Sequence, residues 1–238
     1  MTLKNSSKNQ SSQDAHWIPL ADLMTGLMMV FLFISVVFMI KVQKEAEKTK
    51  NIIIVYDKTK AELLNALEKE FKDDIQKWGA EINKDLSIRF KSPSILFDTG
   101  SNELKPAFKE ILNDFFPRYI AILNKNEFKS IIEEIRIEGH TSSFWSDGKS
   151  NDNAYFLNMD LSQRRTRSLL QYVLELPEIK EYKGWIKSHL TANGLSSSRL
   201  IYQIDNITED SKASQRVEIR IKTTAESKLN EALEKNIN

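Results

Sequence analysis

The sequence predicts an α+β chain: a single N-terminal transmembrane helix and a helical stalk, followed by a domain of mixed sheet with helices packed on it. Three observations carry that expectation. Residues 18–40 are almost wholly apolar, roughly the twenty residues needed to cross a bilayer core of about 30 Å. From Val42 to Ser92 no proline intervenes, and Leu64, Leu67, Phe71, Ile75, Trp78 and Ile82 step by 3 or 4, the spacing of one helix face. Beyond Asp85 short β-like runs alternate with helical periodicity, which implies a sheet covered by helices.

Residues 1–14, "MTLKNSSKNQSSQD", are polar and Ser/Asn/Gln-rich, the composition of a disordered segment. The apolar run, residues 17–41, has no small-x-small cleavage site at its end, so it reads as a retained span rather than a signal peptide. Trp17 at its start and Lys41 and Lys44 at its end suit the two interfaces. Asp22 is the anomaly. A carboxylate at the centre of such a helix costs about 2.5–3.5 kcal/mol on insertion scales. Pro19 fits a first-turn position, which would place Asp22 near the helix N-terminus, where its charge complements the macrodipole. Against that reading, Thr25, Gly26 and Met29 follow at +3, +4 and +7, so acid, hydroxyl and glycine share one face. Membrane helices meet other helices through small and polar faces of this kind.

Residues 42–85 form the stalk, whose apolar stripe serves either pairing with a second copy or packing on the chain's own domain. "NIIIVY" at 51–56 breaks the charged pattern and is compatible with a strand, a partner contact or a regulatory plug. Further on, Ser87–Phe90 and Ile95–Phe97 read as strands, and "DTGSN" at 98–102 as a turn. Leu104–Leu123 has helical periodicity with Pro106 in its first turn, and "IIEEIRIEG" at 131–139 alternates like a half-buried strand. Residues 142–153 form a polar loop, and Asp160 or Ser162 starts a helix that runs to Leu176, before Pro177. "HLTANG" and "RVEIRI" supply further strands, and 223–238 is a weak, frayed helical tail.

Composition narrows the function. The 238 residues carry a net charge of +1, so no global field points to nucleic acid. There is no cysteine, and His16, His140 and His189 lie far apart without metal-ligand spacing. Phosphate-loop, dinucleotide and Gly-x-Ser-x-Gly motifs are missing. An enzyme, a metal site and an organic cofactor are all disfavoured.

Four stretches then come in one order: "PSILFDTGSNELKPAFKEILNDF", "IRIEGHTSS", "NMDLSQRRTRSLLQYVL" and "SQRVEIRI". They resemble the successive signatures of OmpA-like peptidoglycan-binding domains, and the resemblance covers roughly residues 90–222 of a domain set at 86–222. It implies an α/β sandwich with a mixed sheet, and a ligand in the stem peptide of peptidoglycan. The residues it implies for binding are Thr141, Ser142, Asn158, Leu161, Ser162 and Arg165. Arg165 stands where the family grips the carboxylate of diaminopimelate, a task suited to a guanidinium fork. Ser142 stands where the family carries an aspartate for the ammonium, so affinity for that group is in doubt; Asp147 or Asp152 could substitute.

"WIPLADLMTGLMMVFLFI" ahead of such a domain is similar to the B subunits of ion-driven stator motors, the flagellar MotB type. Within that superfamily it most resembles the B subunits of the Zorya type of anti-phage defence motor. The resemblance implies that Asp22, with Thr25, carries the translocated ion, H⁺ or else Na⁺. It also implies a homodimer inside a ring of multi-span A-type subunits, and a single pass through the bacterial inner membrane. The N-terminal 1–16 would then be cytoplasmic and the C-terminal domain periplasmic. Lys41, Lys44, Lys48 and Lys50 against Lys4 and Lys8 favour the opposite orientation by charge, but a wall-binding domain in the cytoplasm would have no ligand. A flagellar stator subunit and a plain wall anchor are the competing functions.

Overall fold

A computed structural model of the chain describes residues 10–91, 93–145, 152–224 and 227. The expectations for residues 1–9, for Asp147 and for 228–238 lie outside the described residues. The chain divides into two compact units, one ending at Ile52 and one running from Ile53 onward.

The first unit consists of helix α1, Gln10–Phe71, as far as Ile52. It is long and apolar enough to cross a membrane. Leu23, Leu27, Met28, Phe31 and Phe33 are all exposed on it, the composition expected of a lipid-facing surface. Because α1 begins at Gln10, Pro19 is interior. Asp22 therefore stands about three turns inside the helix, which removes the first-turn explanation for it.

The second unit opens with the last turns of α1, whose Leu63, Leu67 and Phe71 are fully buried. The Phe71 ring lies 5.7 Å from Trp78 and 5.2 Å from Phe115. Of the two uses foreseen for the apolar stripe, packing on the chain's own domain is the one present, and this part of the stripe is not free to pair with another copy. The helix also ends earlier than its periodicity implied. Arg118 donates to the Glu70 carbonyl at 2.9 Å and to the Glu70 and Asp74 carboxylates at 2.8 and 3.0 Å, satisfying a terminal carbonyl that would otherwise want a further helical turn. After a turn at Gly79 (φ 60°) the chain enters a strand.

That strand, β1 (Ala80–Ile82), is followed by β2 (Ser87–Phe90), α2 (Pro93–Leu96), α3 (Pro106–Leu123), α4 (Asn126–Lys129) and β3 (Ile132–His140). Then come α5 (Asp152–Glu175), a 3-10 turn (Pro177–Tyr182), α6 (Lys183–His189), β4 (Leu190–Gly194), α7 (Ser211–Ser214) and β5 (Arg216–Thr223). The sheet order is β1-β2-β5-β3-β4, antiparallel except for the β3–β4 pair. It is the mixed sheet of an α+β fold. Alternation sorts its faces. Ile88, Phe90, Ile135, Ile137, Val217, Ile219 and Ile221 join the helices in one core, with Phe90 ringed by Phe108 and Phe115 at 5.5 Å each. The other face carries charges.

Two elements depart from expectation. Ile95–Phe97 is not a strand: Pro93 opens a single helical turn, and Phe97 makes only an isolated bridge to Leu104. α5 starts at Asp152, eight residues before Asp160. Its inward stripe is Ala154, Asn158, Leu161, Ser162 and Thr166, helical in spacing but largely polar, so hydropathy concealed its first turns.

Leu67→Ala should lower the unfolding free energy by about 2–5 kcal/mol, the range for a Leu truncated in a closed core, in a denaturant titration of the full chain. A cysteine at Leu67 should not crosslink copy to copy under mild oxidation.

Candidate functional site

Two glycines set the site. A Cβ on Gly194 would lie 2.3 Å from the Gln163 amide nitrogen, and one on Gly139 would lie 2.7 Å from Thr166 Cγ2 and 3.0 Å from the Ser162 carbonyl. Helix α5 therefore rests with its backbone against the carboxyl ends of the parallel strands β3 and β4. This seat places Asn158, Leu161 and Arg165 beside Thr141 and Ser142, where the chain leaves β3. Together they line a cavity of about 270 Å³. Ser162, the sixth residue expected here, stands behind the cavity. Its Oγ donates to the Met159 carbonyl at 2.9 Å and accepts from the Ser196 amide at 3.1 Å.

Arg165 is half-buried, and its Nε and Nη2 donate to the carbonyls of Ser101 and Asp98 at 2.8 and 3.1 Å. Its guanidinium carbon sits 4.8 Å from the centre of the Phe97 ring. The turn that offers these carbonyls closes at Gly100 (φ 71°), while the Asp98 carboxylate is drawn off by Lys105 at 2.9 Å. Burial pulls the Arg165 pKa down to about 10, and it stays cationic at neutral pH. Among the described residues no carboxylate pairs with it. Its partners are therefore neutral, and a planar guanidinium fork has the geometry that suits a carboxylate.

The other walls are neutral. Ser142 Oγ accepts from Gln215 Nε2 at a long 3.4 Å, and Asn158 Nδ2 donates to the Phe144 carbonyl at 3.1 Å. Thr141 is bound through its amide to the Ser196 carbonyl at 2.9 Å, whereas its hydroxyl is buried and without a partner among the described residues. Phe144, Trp145, Gln215, Thr99 and Gly100 also line the cavity, and sequence reasoning did not single them out. An adjacent Phe-Trp pair in an otherwise polar loop was a usable signal. Ser196, which ties Thr141 to α5 at φ 51°, left none. Asp152 is exposed in the first turn of α5. On α1, Asp22 is exposed, and Thr25 Oγ1 donates to the Ala21 carbonyl at 2.7 Å.

Behind the cavity lies a buried charge network. Glu218 accepts from Arg216 Nε at 2.6 Å and Arg89 Nε at 2.8 Å, and Glu138 accepts from Arg199 at 3.1 Å. His140 Nε2 is 3.7 Å from Glu138, too far for a hydrogen bond, and neither ring nitrogen has a hydrogen-bond partner among the described residues. Donor atoms of Glu138, His140 and Glu218 lie within 4.8 Å of one another, but guanidinium groups already occupy both carboxylates, so the set is an ion-pair network. Burial lowers the His140 pKa below its ordinary value, and the neighbouring glutamates only partly oppose this. Burial works to raise Glu138 and Glu218, yet His140 and the arginines outweigh it and hold both below the ordinary range.

The fold and cavity define the class: a chain with, among the described residues, one membrane-length apolar helix, and a C-terminal α+β domain whose cavity is lined by a half-buried arginine. No protein-family model matches the chain. A curated relative, the Zorya protein ZorB of Escherichia coli strain Crooks, is 45% identical over 228 residues, covering 95% of each chain. The chain belongs to the ZorB family. Among solved structures, a MotB-like protein from Desulfovibrio vulgaris aligns with a TM-score of 0.48 and 18% identity, over 70% of this chain and 96% of that one. The OmpA-like domain of a Francisella tularensis protein aligns with a TM-score of 0.40 and 18% identity, over 61% and 81%.

The network has a pH signature. His140 binds its proton more weakly folded than unfolded, so its contribution is complete above its ordinary value of 6.5 and is lost as pH falls through the folded value. Glu138 and Glu218, depressed when folded, contribute above 4.5 and lose that as pH falls further. The melting temperature should therefore decline on acidification below 6.5 and steepen below 4.5. In His140→Gln the upper part of that slope should flatten, as read by thermal melts across pH.

Proposed function

We propose that this chain is the membrane-anchored, stator-type subunit of an ion-driven rotary motor in anti-phage defence, with its C-terminal domain fixing the complex to peptidoglycan. The observation that carries the anchoring half is Arg165, a half-buried cation whose partners are carbonyls, set in a cavity of about 270 Å³. Its natural complement is a carboxylate of the peptidoglycan stem peptide. This reading puts the domain in the periplasm, the apolar helix in the inner membrane and the N-terminus in the cytoplasm. The chain then works by binding and ion transfer, not as an enzyme.

The motor half rests on Asp22 and on membership of the ZorB family. Neutral, its carboxyl can sit against an apolar partner surface; charged, it seeks water or a polar group. Each proton that crosses 100 mV releases about 2.3 kcal/mol, and alternating protonation would use that energy to step a surrounding ring of multi-span subunits around a fixed dimer. H⁺ is the ion proposed, with Na⁺ as the alternative. With Leu63, Leu67 and Phe71 used within the chain's own domain, the support for a dimer moves to the Thr25–Gly26 face, where nothing lies within 4 Å of a Cβ built on Gly26.

Purified full-length chain in detergent should sediment with insoluble sacculi. Arg165→Ala should weaken this by about 1.5–3 kcal/mol, the worth of hydrogen bonds to a charged group, or roughly 10- to 150-fold. Undiminished sedimentation would refute the anchoring role of Arg165. Asp22→Asn keeps the shape of the side chain and removes its titration. It should abolish phage protection while copurification with a multi-span membrane partner survives; a protected mutant strain would sink the ion-carrier role.

A further inference from the structure

Three nitrogens converge on a single oxygen in the buried network. Arg199 Nη1 reaches Glu138 Oε2 at 3.1 Å, Arg220 Nε stands 3.5 Å from the same atom and His140 Nε2 3.7 Å from it. Only the first is a hydrogen bond, and a carboxylate oxygen offers two lone-pair sites. The side chains of Glu138 and His140 are 2% and 1% exposed, whereas that of Arg199 is 52% exposed. Arg220 is held elsewhere, by Asp85 at 2.6 Å and Glu218 at 3.3 Å. Among the described residues Arg199 has no second ion pair, so it can turn into water at the loss of this contact alone.

The groups around the imidazole are of both signs. Glu138 lies on its own strand. On β5, Arg216 is its register partner, with Glu218 two residues on, and Arg89 of β2 binds Glu218 at 2.8 Å. From α5, Arg165 shares with His140 a small cavity that Gln215 and Arg216 also line. A proton on His140 adds a cation to a group in which Arg89, Arg199, Arg216 and Arg220 already serve two glutamates. Like charges repel strongly away from water, and the cheapest relief is to release the one that water can receive. Arg199 also begins a segment that touches the cavity. Its carbonyl accepts from Arg216 Nη1 at 3.2 Å, Glu209 accepts from the Ser143 amide at 3.1 Å, and Gln215 lies in the cavity wall. Between these points Tyr202 bridges to Glu209 in a hairpin whose Ile204 and Ile207 are exposed, and a segment that buries so little opens at small cost.

We propose that His140 is a proton-operated latch: once protonated it takes Glu138 from Arg199, and the segment from Arg199 to Gln215 loosens along the cavity wall. The proton comes from water, one ion pair on Glu138 replaces another, and Arg199 carries its charge into solvent. Burial moves the titration of His140 below its ordinary value of 6.5, so the latch is closed at neutrality and opens on acidification. The latch stands on the geometry of the network; its effect on anchoring rests on the peptidoglycan reading above.

The test reads amide hydrogen exchange of the full-length chain in detergent between about pH 7.5 and about pH 5, the range in which an imidazole titrates, with rates corrected for the chemical effect of pH. Protection of residues 199–210 should fall about tenfold in acid, the low end of what one hydrogen bond to a charged group is worth, while that of α3 holds. His140→Gln should abolish the fall, and Arg199→Gln should show the low protection at both ends of the range. Protection of 199–210 that ignores pH, or that falls equally in His140→Gln, would overturn the latch. A parallel fall in α3 would do the same, because acid would then be loosening the whole fold. Sedimentation with sacculi should weaken over this range in the native chain and not in His140→Gln. Sedimentation that is unchanged beside a loosened segment would refute the link to the cavity, whereas none at neutral pH would refute anchoring and leave the latch standing.

Discussion

The contact on which the second unit's chemistry depends is between two backbones, not two side chains. Gly139 and Gly194 let α5 settle so close that a Cβ at the second position would lie 2.3 Å from the Gln163 amide. Both glycines stand at the ends of parallel strands that are themselves in register, Gly139 opposite Gly194. The pair thus forms a flat seat one residue deep on each strand. Once Ser162 and Gln163 are fixed on that seat, helical spacing fixes Asn158 four residues before and Arg165 three residues after Ser162. The cavity walls follow from backbone contact, which is stiffer than any arrangement of flexible side chains.

The charged face solves a second problem that the same sheet creates. Its register sets Glu138 directly against Glu218 and Arg136 against Arg220, and like charges opposite one another are unfavourable. The relief is diagonal: Arg220 reaches Glu218 at 3.3 Å and Asp85 at 2.6 Å, while Arg216 and Arg89 converge on Glu218. Arg199 and Arg216 lie at either end of the segment that includes Asp205 and Asp210, and both reach into the network. The ion pairs contribute little net stability once desolvation is counted, but removing one partner strands a buried charge. They hold in place the chain on which Gln215 depends.

Much of this was legible from the residue pattern and part was not, for identifiable reasons. The apolar span, the strand around Ile135 and Ile137 and the final strand from Arg216 are periodic apolar runs, and pattern finds such runs. The first turns of α5 were missed because their buried positions are Asn158, Ser162 and Thr166, whose polar side chains bond locally and carry no hydropathy signal. The end of α1 was misplaced because the stripe continues in spacing through Trp78 and Ile82 while the backbone does not; the stop comes from Arg118, forty-eight residues from Glu70 in sequence. Within the cavity, the motif residues were visible through resemblance. Ser196 was not, since a serine at φ 51° looks like any other serine in a run of three.

Asp22 and Arg165 pose the same physical question with opposite signs. One is an acid set in an apolar helix, the other a guanidinium drawn half out of water, and among the described residues neither has an ionic partner in its own chain. Keeping such a charge costs free energy that neutral residues would not incur. The network of Glu138, Glu218 and their arginines shows the contrast, because every charge there is matched internally and the group serves only to hold strands and loops. For Arg165, under the function proposed above, the complement is an anion small enough for the cavity. For Asp22, under the same proposal, it is a proton or a polar group on a neighbouring helix, and the difference in mobility between those two complements would divide the chain into a part suited to hold and a part suited to cycle.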